Sequence, residues 1–306
     1  MKLSIVIPAY NEMESLPVLF QEIDAALRPT GIMFEVIFID DGSTDGTFFQ
    51  IKEMHRKDNR VHGIRFRTNC GKASALSAGF QAAQGAIIIT MDGDLQDDPK
   101  EIPRFLEKIG EGFDLVSGWK NQRVDSFIKN KTSLLFNSVT NRISKVYLHD
   151  FNCGFKAYRS EIAKSLSLHG ELRRYVPVLV AAEGFTVTEL PIHHRKRSFG
   201  TTKYGARRFI NGYLDLITVL LVTKYRTKPL HFFGYASLQL MFGGLLLTLV
   251  LTWLAYSFGH LSSITLLWFA TFTELFCASM TLLGFGLLGE LFVLEYPHQM
   301  YIAEQC

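Results

Sequence analysis

The chain has 306 residues, a hydrophobic fraction of 48% and a formal charge of +3, which allows one large domain and something more. Its four cysteines, Cys70, Cys153, Cys277 and Cys306, show no metal-ligand spacing, which excludes a zinc framework, and on a cytoplasmic domain they are expected as reduced thiols. The mild charge gives no reason to expect a nucleic-acid partner.

In chain order, Leu3–Pro8 reads as a strand, and Leu16, Leu19, Phe20, Ile23 and Leu27 predict a helix over Glu14–Leu27. A strand at Phe34–Ile39 runs straight into Asp40-Asp41-Gly42-Ser43-Thr44-Asp45-Gly46-Thr47, followed by a helix over Thr47–Lys57 and a strand at Val61–Phe66. Ala73–Gln84 is a helix of small residues. Ala86–Thr90 is a buried strand that ends in Met91-Asp92-Gly93-Asp94-Leu95-Gln96-Asp97-Asp98-Pro99. Asp97 and Asp98 are expected to cap a helix entering at Pro99. Pro103–Gly110 reads as helix and Asp114–Trp119 as strand, and an amphipathic helix ending near Lys145 follows Trp119–Asp125. Strands alternating with helices at this spacing predict an α/β fold, a mostly parallel sheet with helices on both faces.

The carboxyl-terminal part differs in kind. No Asp, Glu, Lys or Arg lies between Lys228 and Glu274, and Phe232–Phe258 and Ile264–Val293 are apolar runs longer than the roughly 20 residues that cross a bilayer. Residues 1–224 carry net +5 and residues 225–306 net −2. The expected organisation is a soluble domain over 1–204, an amphipathic juxtamembrane region over 205–228 and a transmembrane hairpin over 229–306. Met1–Pro8 is too short for a signal peptide and stops at a proline, so the soluble domain is expected in the cytoplasm. Lys224, Arg226 and Lys228 before the first span and the uncharged connector His260–Ser263 fit that orientation. Phe209–Leu221 reads as an interfacial helix on the bilayer, or else as an ordinary core helix. Glu274, inside the second span, is expected to serve packing between spans or protomers, with Gln239 a candidate hydrogen-bond partner.

Two pairs of acids end strands and so face one sheet edge, where open α/β folds bind ligands. Asp92 and Asp94 are spaced to share a hard divalent cation, since Mg²⁺ typically takes one or two carboxylates plus substrate phosphates. Asp40 and Asp41 are placed to accept hydrogen bonds from a base or ribose; Thr44 and Asp45 read better as helix caps. A solvated turn is the alternative for any such pair. Dinucleotide binding is excluded, because Pro8-Ala9-Tyr10-Asn11-Glu12 after the first strand carries no glycine.

Leu3–Glu12, the run Asp40–Thr47 and Asp92–Pro99, in this order and spacing, resemble the family 2 glycosyltransferases of GT-A fold. Asp150-Phe151-Asn152-Cys153-Gly154-Phe155-Lys156, Arg197–Tyr204 and the two apolar spans resemble its polyprenyl-phosphate branch, the dolichol-phosphate mannose synthase-like enzymes. The resemblance implies that Pro8, Tyr10 and Glu12 line a nucleotide pocket, with Asp40 and Asp41 on the base and ribose. It implies that Asp92, Asp94 and Gln96 hold Mg²⁺ or Mn²⁺ on the donor diphosphate. Arg197 and Lys203 would lie near the donor and acceptor phosphates, and Asp150 near the acceptor, as a catalytic acid or a loop holder. Arg123 is a candidate for the acceptor phosphate by guanidinium geometry, or a solvated surface arginine. Lys196, Arg207 and Arg208 are expected only to attract anionic headgroups.

The implied activity is inverting transfer of a sugar from a nucleotide diphosphate sugar, UDP-glucose for example, to undecaprenyl phosphate at the cytoplasmic face of a bacterial inner membrane. Such transfer would supply lipid-linked sugar for cell-envelope glycans. The resemblance also implies a homo-oligomer, a tetramer. The rivals are a processive polysaccharide synthase, whose Q-x-x-R-W motif and multi-span channel this sequence lacks, and a non-catalytic membrane scaffold or transport partner.

Overall fold

The computed structural model describes residues 2–120, 141, 146–166, 168, 170, 172–193, 195, 217–218, 220–221, 223–257 and 261–295. They fall in two compact units, Met1–Val219 and Leu220–Cys306. The first unit contains β1 (Lys2–Ala9), α1 (Ser15–Leu27), β2 (Met33–Asp40), α2 (Thr47–Lys57), β3 (Val61–Arg65), α3 (Lys72–Ala82), β4 (Ile87–Thr90) and α4 (Ile102–Gly110). It continues with β5 (Leu115–Lys120), β6 (Lys156–Arg159), α5 (Ser160–Ser165), α6 (Val176–Ala182) and β7 (Val187–Ile192). The expected amphipathic helix toward Lys145 and most of the interfacial segment Phe209–Leu221 lie outside the described residues.

The seven strands form one sheet in the order β3-β2-β1-β4-β6-β5-β7. All pairs are parallel except those of β6, which runs antiparallel to β4 and β5. β1 shows why the fold has two cores. Leu3, Ile5 and Ile7 join α1, α2 and α4 through Leu19, Ile51 and Phe105 on one face, while Val6 joins α3, α5 and α6 through Phe80, Ile162 and Val180 on the other. This is the two-residue alternation of a strand buried on both sides. α3 is rich in small residues because it lies hard against the sheet: a Cβ on Gly79 would come within 2.3 Å of Val6 Cγ1.

The chain leaves β1 through α1 to β2 and then through α2 to β3, always in one direction. It then crosses the opposite face through α3 and arrives at β4, on the other side of β1. The order therefore reverses between β1 and β4, which opens a crevice at their carboxyl ends. Pro8 and Asp92 stand at that crevice.

The second unit contains α7 (Pro229–Ser257) and α8 (Leu261–Glu295). Each holds a stretch long and apolar enough to span a membrane, Pro229–Leu254 and Ala270–Val293, at a mean hydropathy of 1.8. Phe242, Leu246, Trp253 and Leu291 all face outward, the reverse of a soluble core helix. Ser237 and Ser279 join the helices by a buried hydroxyl contact of 2.9 Å, and Glu290 accepts the Leu230 N–H at 3.2 Å. Gln239 and Glu274 are both exposed and no hydrogen bond joins them; the serines make the cross-helix polar contact expected of that pair.

Candidate active site

Three strand ends build the site. At the end of β1 and just beyond it, Pro8, Tyr10 and Glu12 are half-buried. Asn11 between them takes a positive φ of 56° and locks onto the loop after β2: its N–H donates to Ser43 Oγ at 2.9 Å, and its Oδ1 accepts the Thr44 N–H at 2.9 Å. Asn tolerates that conformation through such local bonds.

Asp40 and Asp41 at the end of β2 are 0% and 5% exposed. Asp40 Oδ1 accepts the Ser43 N–H at 2.9 Å, and Oδ2 faces Arg65 Nε at 3.4 Å. Asp41 accepts the N–H groups of Cys70 (2.7 Å) and Gly71 (2.9 Å), so both its oxygens hold the loop that opens α3. A carboxylate suits a helix amino terminus. Asp45 accepts the Thr47 N–H at 2.9 Å at the start of α2.

The acid loop after β4 is strained and charge-compensated. Leu95 is buried at a φ of 63°, a conformation that costs a non-glycine residue roughly 1–2 kcal/mol. Through this turn Asp94, 7% exposed, accepts the Gln96 N–H at 3.2 Å. Asp92 is half-buried and its Oδ1 is in contact with Lys72 Nζ. Asp98 accepts the Lys100 N–H at 3.0 Å and caps the short turn at Pro99, as expected. Asp97 does something else. It is wholly buried, accepts the Asp92 N–H at 3.2 Å and lies 3.7 Å from Lys120 Nζ.

The titrations follow these contacts. Burial opposes charge on Asp92, but Lys72, Lys120 and Arg173 outweigh it and hold the carboxyl well below the usual range. For Asp97 burial wins over Lys120, and the neighbouring Asp92 and Asp94 add to the rise. Burial pulls Lys120 down, yet the attraction of Asp97 and Asp92 raises it on balance.

The segment before β6 closes the far side. Asp150 is 1% exposed and accepts the Asn152 N–H at 3.1 Å. Gly154 lies against Asp92: a Cβ there would sit 2.7 Å from Oδ1 and 2.9 Å from Oδ2. Lys156, at the start of β6, is buried and donates to the carbonyls of Phe151 and Cys153; burial lowers its pKa. Burial also pushes the Cys153 thiol up to about 12, so it is inert. Lys72, Thr90, Asn152, Gly154, Lys156 and Arg173 line a small half-open recess. Arg195 ties the start of the basic segment to this region: it pairs with Glu22 at 2.8 Å and Asp98 at 2.5 Å, and its N–H donates to Gln96 O at 2.9 Å. Arg123, Arg197 and Lys203 lie outside the described residues.

The sequence profile of Glycosyl transferase family 2 matches residues 4–167 of this chain, through every one of these strand ends. The chain belongs to glycosyl transferase family 2. It is therefore a glycosyltransferase. A dodecaprenyl-phosphate galacturonate synthase of Rhizobium johnstonii is 36% identical over 84% of this chain and 76% of that protein. An undecaprenyl-phosphate 4-deoxy-4-formamido-L-arabinose transferase of Salmonella paratyphi A is 36% identical over 84% of this chain and 78% of that protein. The GT-A fold is shared with glucosyl-3-phosphoglycerate synthase of Mycobacterium tuberculosis. Its structure with Mg²⁺ and uridine diphosphate superposes with a TM-score of 0.56 at 19% identity, over 72% of this chain and 79% of that one. A second structure of that enzyme, with Mn²⁺, uridine diphosphate and phosphoglyceric acid, gives 0.56 at 18%, over 72% and 78%.

The acid loop of this family 2 glycosyltransferase fits a hard divalent cation by its donor set. Asp92, Asp94 and Gln96 offer only oxygen from carboxylates and an amide, the ligand type such ions take. Among the described residues no group of three or more His, Cys, Asp or Glu gathers to cage a metal; an ion held here would draw the rest of its ligands from phosphate and water. Lys72 and Lys120 had no expected role, Asp97 was expected only as a cap, and Gly154 and Lys156 entered only within the Asp150–Lys156 motif. One signal was available for Lys72: it is the first residue of α3, where the helix dipole disfavours a cation.

Proposed function

We propose that this glycosyltransferase moves a sugar from a nucleoside diphosphate sugar, UDP-linked, to a polyprenyl phosphate with inversion, on the cytoplasmic side of a bacterial inner membrane. The observation that carries this reading is the pair Asp92 and Asp94 at the β1–β4 crevice, in a chain that also has two spanning-length apolar helices. The two lipid-phosphate sugar transferases named above support the acceptor class. The strand order supports the donor site, because the half-buried Pro8, Tyr10 and Glu12 lie beside the Asp40–Asp41 turn at the same sheet edge.

In this reading Asp92, Asp94 and Gln96 hold Mg²⁺ or Mn²⁺, which supplies Lewis-acid stabilisation of the diphosphate leaving group. Asp40 and Asp41 fix the loops against which base and ribose rest. Asp150 orients the acceptor side, and Arg123, Arg197 and Lys203 pair with phosphate oxygens. No strong general base is needed, because a phosphate monoester with a second pKa of about 6 is already largely ionised near neutral pH. α7 and α8 tether the enzyme to the bilayer that holds its lipid acceptor, a proximity effect, with Lys224, Arg226 and Lys228 on the cytoplasmic side and a homo-oligomer as the assembly.

The test is a panel of radiolabelled UDP-sugars with undecaprenyl phosphate and Mg²⁺ or Mn²⁺. Labelled lipid is expected with one donor, and no transfer with any donor would sink the proposal. Asp94→Ala is expected to abolish metal-dependent UDP binding; unchanged binding would mean the cation lies elsewhere.

A further inference from the structure

Lys72 is in direct contact with Asp92, and nothing in its own helix favours it there. It is the first residue of α3, directly after the Cys70 and Gly71 N–H groups that Asp41 holds. A positive side chain at that end opposes the helix dipole. What holds it is Asp92: the ammonium donates to Oδ1. The two side chains are 28% and 30% exposed, so water reaches the pair and can solvate the ammonium when it leaves.

Asp92 oxygen is also what a hard divalent cation would coordinate. Two positive groups on one carboxylate repel, so Lys72 and the cation compete for Asp92. The lysine has somewhere to go. Its side chain lines the recess that Lys156 and Arg173 also line, beside Gly154 and Asp92. A four-carbon stem lets the ammonium swing, and a lysine binds phosphate well as a point charge.

We infer that Lys72 is an exchangeable counter-ion of the cation site. It yields Asp92 to the divalent cation and then pairs with an anionic phosphate oxygen of the nucleoside diphosphate in the adjoining recess. This rests on the donor-site reading above. It gives Lys72 two partners in sequence, so that the cation and the diphosphate each make the site ready for the other.

The experiment uses the full chain in detergent, with Lys72→Met and the charge-keeping Lys72→Arg. Electron paramagnetic resonance measures Mn²⁺ binding without nucleotide, and equilibrium dialysis measures UDP binding at saturating Mn²⁺. Lys72→Met is expected to tighten Mn²⁺ alone by about tenfold and to weaken UDP by about tenfold, with Lys72→Arg returning both toward wild type. A merely structural lysine would weaken both together, and that result overturns the inference. Equal Mn²⁺ affinity in wild type and Lys72→Met also overturns it while leaving the cation site intact. Failure of Mn²⁺ to bind any of the three proteins would overturn the donor-site reading as well.

Discussion

Gly154→Ala tests whether Asp92 is positioned by its neighbours or merely present. The added Cβ would lie 2.7 Å from Asp92 Oδ1, where ordinary contact begins at 3.4 Å, a shortfall of 3.4 − 2.7 = 0.7 Å. The glycine cannot easily retreat, because Thr90 Oγ1 donates to its carbonyl at 2.7 Å and β6 starts two residues on. Its φ lies outside the left-handed region, so alanine adds no backbone strain. The carboxylate must therefore move. Overpacking of this kind costs roughly 1–3 kcal/mol, and misplacing a site group by about 1 Å costs about 10²-fold in rate; a loss of roughly 10- to 100-fold in transfer is expected. The assay is single-turnover formation of labelled polyprenyl-linked sugar, together with Mn²⁺ affinity. Gly110→Ala, where nothing lies within 4 Å, serves as the control and should be silent. Wild-type turnover and Mn²⁺ affinity in Gly154→Ala would refute the claim that the Gly154 backbone sets the Asp92 position.

Glu35 is buried, and although burial raises its pKa, hydrogen bonds from Ser4, Lys2 and Gln84 outweigh it and lower the value below the ordinary 4.5. A depressed folded pKa stabilises the protein above the unfolded value and loses that stabilisation as pH falls through the folded one. The difference in melting temperature between wild type and Glu35→Gln should hold above about pH 5 and shrink below it; a gap that widens on acidification would contradict the network. Asp41→Ala leaves the Cys70 and Gly71 N–H groups without their acceptor, at about 1–3 kcal/mol each. Faster hydrogen exchange at Cys70 and Gly71 is the expected sign, and unchanged protection would refute it. Ser279→Ala removes the buried hydroxyl pair with Ser237 and should cost about 0.6 kcal/mol of hairpin stability, read by unfolding in detergent; no loss would show that apolar packing alone joins the helices.

The first half of the sheet was legible because its strands are buried on both faces and read as unbroken apolar runs. α2 spans Thr47–Lys57, the bounds its sequence predicts, and β1, β2 and β4 agree to within a residue. β6 and β7 were not legible. β6 is Lys-Ala-Tyr-Arg, four residues with a charge at each end, and its Lys156 is buried by folding back onto the carbonyls of Phe151 and Cys153 in the preceding loop, which no apolar pattern reveals. β7 contains Pro191, which argues against a strand unless the strand lies at an edge. β7 does lie there, paired with β5 alone. The acids were readable by position because strand ends of a parallel sheet share an edge. Their counter-charges were not, since Lys72, Lys120 and Lys156 come from α3, β5 and β6 and meet only after the sheet is assembled. Asp97 was misread as a cap for the same reason: its sequence neighbours advertise a helix start, while its partner Lys120 is on another strand.

That assembled charge set explains how the site tolerates so many acids. Asp92, Asp97 and Asp150 stand near Lys72, Lys120 and Lys156 in a largely buried layer. Isolated carboxylates there would neutralise themselves by taking up protons. Lys72, Lys120 and Arg173 keep Asp92 ionised, and an ionised Asp92 is what a divalent cation requires. Lys156 is buried and Lys120 half-buried, and each is held by fixed partners. Lys72 alone of the three is at the water-accessible mouth, where a counter-ion has room to leave. The site therefore keeps Asp92 charged and meets solvent through Lys72.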